Sequence, residues 1–159
     1  MALWRLYYHL IWATRDRDPL IGTDIEQELY GYIIGKSNAL ESITHAIGGV
    51  QDHIHLVVSI PPKLSIADFV KGIKGSSAHH LNHGMDSPMA NFGWQRGYGV
   101  FSLGGKQLAQ AVNYVRNQKQ HHRQGTTIAT LEEDHHHLDD APASWNKGAA
   151  IGDIRRNLG

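Results

Sequence analysis

QDHIHLVVSIPP, residues 51–62, reads as a β-strand, because apolar side chains alternate with others until two prolines stop the pairing. Period-2 geometry puts Ile54, Leu56, Val58 and Ile60 on one face, and His53, His55, Val57 and Ser59 on the other. Such a strand belongs in a sheet covered on its apolar side, with two imidazoles left facing the opposite way. Working outward, Gly48-Gly49 and the following Val-Gln-Asp suit a tight β-hairpin from a strand over 42–50. LWRLYYHLIWAT (3–14) alternates in the same manner and predicts a first strand, with Trp4, Leu6, Tyr8, Leu10 and Trp12 sharing a face.

Between these strands, Thr23 with Glu26 in capping-box position predicts a helix over 24–38. After the prolines, Ser65 with Asp68 caps a second helix running to residue 82. A loop rich in Gly, Pro, Asn and Ser (83–95) leads to RGYGVFSL, a fourth strand. KQLAQAVNYVRNQKQHHRQ (106–124) is read as one helix stopped by Gly125, followed by a short acidic helix near 127–138. The order β-α-β-β-α-β plus C-terminal helices is an α+β, ferredoxin-like arrangement. Both crossover helices then cover one face of an antiparallel sheet, and the open face carries His53 and His55. Residues 1–138 are read as a single catalytic domain and residues 139–159 as a flexible C-terminal tail.

Composition narrows the chemistry. The 159 residues include no cysteine, which excludes disulfides, thiolate metal sites and cysteine nucleophiles. The N-terminal stretch is neither a signal peptide nor a membrane span, so the expected location is the cytoplasm with no membrane association. Net charge is +0, yet residues 1–125 carry 12 Lys/Arg against 9 Asp/Glu, and residues 126–159 carry 3 against 6. A mildly basic body permits a phosphate-binding surface.

In the last long helix Leu108, Ala111, Val112 and Val115 form an apolar stripe. Gln110, Tyr114, Gln118 and His121 form a polar stripe beside it, with Tyr114 and Gln118 one turn apart. Each feature alone has an ordinary structural explanation: half-exposed histidines bound to water, and a boundary tyrosine beside a solvated glutamine. Together they make a coherent phosphoryl-transfer site. A divalent ion on two imidazoles and an amide oxygen keeps positions for phosphate oxygens, and a phenol can reach a backbone phosphate.

The chain resembles the single-tyrosine HUH transposases of the smallest bacterial and archaeal insertion sequences and their REP-associated relatives. The stretches that carry the resemblance are YYHLIWATRDRDPLI, GGVQDHIHLVVSIPP, SIADFVKGIKGSSAHHLN, FGWQRGYGVFSLG and VNYVRNQKQHH followed by TIATLEED. The histidine pair precedes the tyrosine, as in transposases and unlike relaxases, and the helix holds one tyrosine rather than two. The resemblance implies His53 and His55 as metal ligands, Gln118 as a third ligand and Tyr114 as nucleophile. It implies nicking and rejoining of single-stranded DNA at hairpin-flanked element ends through a 5′-phosphotyrosine, with Mg²⁺ or Mn²⁺, in a homodimer. A domesticated relative that binds or processes hairpins without transposition is the alternative. The HHH run at 135–137 and the tail match nothing in that pattern.

Candidate DNA contacts are Lys63, Lys71, Lys74 and Ser76 on or before the second helix, and Arg15 after the first strand. His121 and His122 fall in a last helical turn, where cations meet the negative end of the dipole, and are read as structural.

Overall fold

The computed structural model describes residues 2–86 and 88–134. The alternation read in the sequence becomes four strands: β1 (Tyr7–Ala13), β2 (Ile43–Val50), β3 (His53–Ser59) and β4 (Gly99–Leu103). They form one antiparallel sheet in the order β2-β3-β1-β4. Helices α1 (Thr23–Ala39) and α2 (Ile66–His79) are the crossovers, and α3 (Leu108–Arg116) and α4 (Gln118–Gln124) follow β4. This is the expected ferredoxin-like α+β topology.

The main core lies between the sheet and the crossover helices. Leu10 and Trp12 of β1 and Ile54, Leu56 and Val58 of β3 are fully buried against Leu29 and Ile33 of α1 and Phe69 and Ile73 of α2. Removing such side chains from water is the dominant stabilising term in a fold of this size. Ser65 caps α2 as its sequence indicated, accepting from Asp68 N at 3.0 Å. The cap of α1 is Gly22 rather than Thr23. Ile25 N and Glu26 N both donate to Gly22 O, while Glu26 Oε1 lies 2.6 Å from Lys119 Nζ of α4. The capping-box glutamate is therefore committed to tying two helices together.

The second face of the sheet departs most from expectation. All seven residues of β3 are buried, with His53 2% and His55 0% exposed. The alternation identified the face correctly but not its cover. Ala111, Tyr114 and Val115 of α3 pack on Ala46 and Val57 there. Tyr114 and Gln118, assigned to a polar stripe, are themselves buried.

The predicted helix over 106–124 is divided at Asn117, whose φ/ψ of −105°/24° departs from helical values. Its side chain donates to Asn113 O at 2.8 Å, competing for a carbonyl of its own helix. Gly125, at φ +66°, ends α4 in the left-handed conformation that favours glycine. The acidic helix predicted near 127–138 is instead a single 3₁₀ turn over Ala129–Leu131 within the described part. Its chain is held by Ile128 N donating to the Tyr114 hydroxyl at 3.0 Å rather than by its own helical ladder. The HHH run and the 139–159 tail lie outside the described residues.

The Gly48-Gly49 pair sits inside β2, and the turn itself is Gln51-Asp52, with Val50 opposite His53. A Cβ on Gly48 would lie 2.1 Å from Val115 O, so glycine is what lets α3 settle on the sheet. By contrast nothing lies within 4 Å of a Cβ built on Gly75 in α2. Gly48→Ala should lower the unfolding free energy by about 1–3 kcal/mol through overpacking. Gly75→Ala should raise it by roughly 0.5–1 kcal/mol through helix propensity. Urea melts of the two variants check both signs.

Candidate functional site

β3 and its neighbours bring the sequence-predicted residues to one place. β1 pairs with β3 so that Ile11 lies opposite His55 and Ala13 opposite His53. The imidazoles of His53 and His55 are adjacent on the face beneath α3, with ring centroids 5.2 Å apart. Tyr114, in the last turn of α3, sets its ring 5.9 Å from that of His55 at 84°. Gln118 follows across the Asn117 bend and stays beside Tyr114, its Nε2 3.4 Å from Tyr114 O.

At the centre stands a residue the sequence reading left unassigned. Glu132 Oε2 lies 3.1 Å from His53 Nε2 and 3.1 Å from His55 Nε2. Its Oε1 accepts a short hydrogen bond from the Tyr114 hydroxyl. His122 Nε2 is 3.7 Å from Glu132 Oε2 and 3.1 Å from Gln118 Oε1. His122 is thus turned into the cluster, its ring 4.9 Å from that of His53, rather than left as a solvated dipole cap. His53 Nδ1 is held by Asp52 Oδ1 at 2.7 Å, and His55 Nδ1 faces His9 Nε2 at 2.8 Å. The sequence reading placed no carboxylate here, and the structure sets Glu132 beside both imidazoles. Glu132 belongs to TIATLEED, and its acidic run suggested a surface helix because periodicity says nothing about a segment folding back.

The electrostatics follow from burial set against contacts. Burial favours neutral Glu132, but its contacts with the His53 and His55 imidazoles and the Tyr114 bond outweigh it and hold the carboxyl well below its usual range. Burial likewise works against charge on His53, and the Glu132 and Asp52 carboxylates overcome it and raise that group. For His55 burial wins and the pKa is lowered. Burial lowers His122 as well. Tyr114 is pushed up, first by burial and then by the hydrogen bond it donates to Glu132.

The donor set suits a divalent cation. The ligand atoms of His53, His122 and Glu132 all lie within 4.8 Å of one another. His53 Nε2 lies buried 3.1 Å from Glu132 Oε2 without an aligned hydrogen bond, so it is free of any other partner that a cation would have to displace. Two imidazoles with an anionic oxygen make a mixed nitrogen and oxygen set that a divalent cation can use.

The candidate DNA contacts mostly have protein partners. Lys74 Nζ bonds Gln95 O at 2.6 Å and Gly97 O at 2.9 Å, stitching α2 to the loop before β4. Ser76 Oγ bonds Gly72 O at 2.6 Å, and Arg15 Nη2 bonds Asn91 O at 3.2 Å. Lys63 pairs with Glu41, and Lys71 is exposed on α2. Sequence reasoning missed a cleft of about 600 Å³ next to the site, lined by Arg17, Lys119, His122 and Arg123 together with Asp52 and Glu26. Lys119, His122 and Arg123 come from the basic run of α4, where cations at a helix end have a common local explanation, and Arg17 joins them only through the fold. Among the described residues no helix is long and apolar enough to cross a membrane.

Comparison with known proteins yields a consistent set. The family model described as "Transposase IS200 like" matches residues 2–118. The ISDra2 transposase TnpA of Deinococcus radiodurans is 29% identical over 122 residues, covering 73% of this chain and 86% of that protein. The transposase for insertion sequence element IS200 of Salmonella typhimurium is 26% identical over 141 residues, covering 79% and 85%. A crystal structure of a Deinococcus radiodurans R1 protein described as a transposase superposes with a TM-score of 0.56 at 27% identity, covering 74% of this chain and 93% of that one. A REP-associated tyrosine transposase bound to a REP hairpin shares the fold with a TM-score of 0.56 at 17% identity, covering 100% and 88%.

His9, fully buried, has its pKa pushed down to about 3, chiefly by burial and then by His55. The unfolded chain takes up this proton near pH 6.5 and the folded one only near 3, so stability is complete above 6.5 and falls with pH below it. Unfolding free energy should decline by about 1.4 kcal/mol per pH unit from this group between those limits. Urea melts at pH 7, 5 and 4 measure the slope, and His9→Gln should remove His9's share of it.

Proposed function

The chain belongs to the IS200-like transposase family, and on that premise we propose that it nicks and rejoins single-stranded DNA at hairpin-flanked element ends, with Tyr114 as nucleophile. The observation that carries this reading is that the Tyr114 hydroxyl and the imidazoles of His53 and His55 meet on a single carboxylate, Glu132.

His53 and His55, with Gln118 as third protein ligand, are the proposed seat of a divalent cation, Mg²⁺ or Mn²⁺. Gln118 Oε1 faces His122 Nε2 in the structure, so ligation replaces that hydrogen bond. A bound ion would polarise the scissile phosphate and offset charge developing on its oxygens. Glu132 keeps the phenol oriented through the hydrogen bond Oε1 accepts and is the nearest acceptor for its proton, a weak base while the imidazoles hold its carboxyl low. In the proposed step the Tyr114 oxygen forms a bond to phosphorus and the bond from phosphorus to the 3′ oxygen breaks. A 3′-hydroxyl leaves, and the 5′-phosphate remains on the tyrosine. Attack by a 3′-hydroxyl reverses the step and joins ends, conserving the bond energy without a nucleotide cofactor.

The cleft lined by Arg17, Lys119 and Arg123 opens beside Asp52 and His122 and gives a single strand an approach to the nucleophile. Among the residues selected from sequence, Lys71, Lys63 and Arg15 have exposed side chains for phosphates, while Lys74 and Ser76 are engaged by backbone carbonyls. Residues 1–138 form the proposed catalytic unit, acting in the cytoplasm as a homodimer. The neighbour captured with a REP hairpin supports a hairpin as the recognised DNA shape.

A labelled hairpin oligonucleotide with Mn²⁺ should give a nick and a denaturant-stable protein–DNA band, both lost in Tyr114→Phe and in excess chelator. A band that persists in Tyr114→Phe contradicts the nucleophile assignment. Hairpin binding without cutting by the unaltered protein points to the domesticated reading. Mixed Tyr114→Phe and His53→Ala proteins should recover cutting if subunits share sites, and a monomer by light scattering removes the dimer.

A further inference from the structure

His9 takes no part in the reaction outlined above, yet β1 delivers it to the back of the site. It is 0% exposed, and its Nε2 lies 2.8 Å from His55 Nδ1. Its other nitrogen, Nδ1, is buried with no hydrogen-bond partner. The surrounding contacts are rings: Phe101 with its centroid 6.1 Å away and Tyr114 at 6.1 Å.

A neutral imidazole carries one N–H and one lone pair, so a pair of them sharing one hydrogen bond has only two arrangements. In the first, His55 holds its proton on Nε2 and donates to Glu132 Oε2, 3.1 Å away. His55 Nδ1 then accepts from His9 Nε2–H, and His9 Nδ1 is a bare lone pair. In the second, His55 holds its proton on Nδ1 and donates to His9 Nε2, which places the His9 proton on Nδ1. His55 Nε2 then offers a lone pair toward the cluster. The two arrangements hold the same two protons and differ only in which nitrogen of each ring bears one. Metal-bound histidines depend on such a partner for tautomer and ring orientation.

We propose that His9 is a positioning residue that sets the tautomer of His55, and that the two rings switch together when a cation binds at His55 Nε2. The inference rests on the reading of His55 as a ligand. It explains why a histidine occupies a fully buried position on β1: imidazole can accept or donate at the same atom. A leucine there would leave His55 Nδ1 unpaired. In the switched pair the unpaired N–H is that of His9 Nδ1, one ring removed from the ion. With leucine it would be the His55 Nδ1–H, which a cation on Nε2 polarises and makes costlier to leave unbonded, so His55 would favour keeping its proton on Nε2, where it blocks coordination. An amide at position 9 can offer either an oxygen or an N–H to His55.

Mn²⁺ affinity of the full chain without DNA, by titration calorimetry, is the first measurement. His9→Leu should weaken binding roughly 10–100-fold, and His9→Gln should restore it to within about tenfold of the unaltered protein. Two-bond ¹H–¹⁵N correlation of ¹⁵N-histidine-labelled unaltered protein at pH 7.5, with and without Zn²⁺, reads the tautomers directly. The expected result is His55 moving from Nε2–H to Nδ1–H, with His9 moving from Nε2–H to Nδ1–H in step. The same His55 tautomer in both states overturns the proposal, as does Mn²⁺ binding in His9→Leu as tight as in the unaltered protein. If His9→Leu does not fold, the spectra of the unaltered protein decide alone. An unaltered protein that binds no divalent cation removes the metal reading and this proposal together, an outcome distinct from binding with unswitched tautomers.

Discussion

A carboxylate with 18% side-chain exposure, set between two buried imidazoles and a phenol, is the interaction on which the rest of this structure depends. A charge so placed is costly unless its oxygens are bonded, and Glu132 has donors on both. Satisfying them requires the chain after Gly125 to return to the sheet, α3 to bring Tyr114 down over β3, and α4 to turn His122 inward. Each requirement leaves a mark elsewhere. Gly48 has no side chain because Val115 O comes so near. The helix yields at Asn117, where Tyr114 and Gln118 face the same cluster from consecutive segments. Lys119 pairs with Glu26 and fastens α4 to α1.

The same carboxylate divides the histidines by environment. His53 touches two acids, Asp52 and Glu132, and is the imidazole inclined to hold a proton. His55 touches one acid and another histidine under complete burial, and stays neutral. A divalent cation would take over the role that the His55 donor and the neighbouring His53 imidazole play toward Glu132. The pocket is therefore built around opposite charges whose exact carriers can change while the geometry remains. Such an arrangement suits a site that must admit phosphate oxygens and then release them.

Much of this was legible from the chain, and the rest was hidden for physical reasons. Period-2 alternation in QDHIHLVVSIPP located His53 and His55 on one face of a strand, and the order of elements yielded the topology. Tyr114 and Gln118 were found because helical spacing survives a gentle bend. Alternation, however, reports which face a residue takes and not what later covers it, so the histidines were expected to be exposed. Glu132 and His122 were missed because their roles come from tertiary return of the chain. An acidic run and a His-His pair at a helix end have common local explanations that carry no hint of a partner 79 positions upstream, the separation between His53 and Glu132. His9 drew no notice inside an apolar strand, where one polar residue on the covered face is invisible without knowing which strand lies beside it.

On the proposed reading, the ground held by Glu132 among His53 and His55 is a cation seat beside Tyr114. Anomalous scattering from crystals of the protein equilibrated with Mn²⁺ measures this most directly. The expected result is a manganese peak within coordination distance of His53 Nε2 and His55 Nε2, next to the Tyr114 hydroxyl. Manganese found only at exposed side chains, with Glu132 still bonded to both imidazoles at saturating ion, would contradict it.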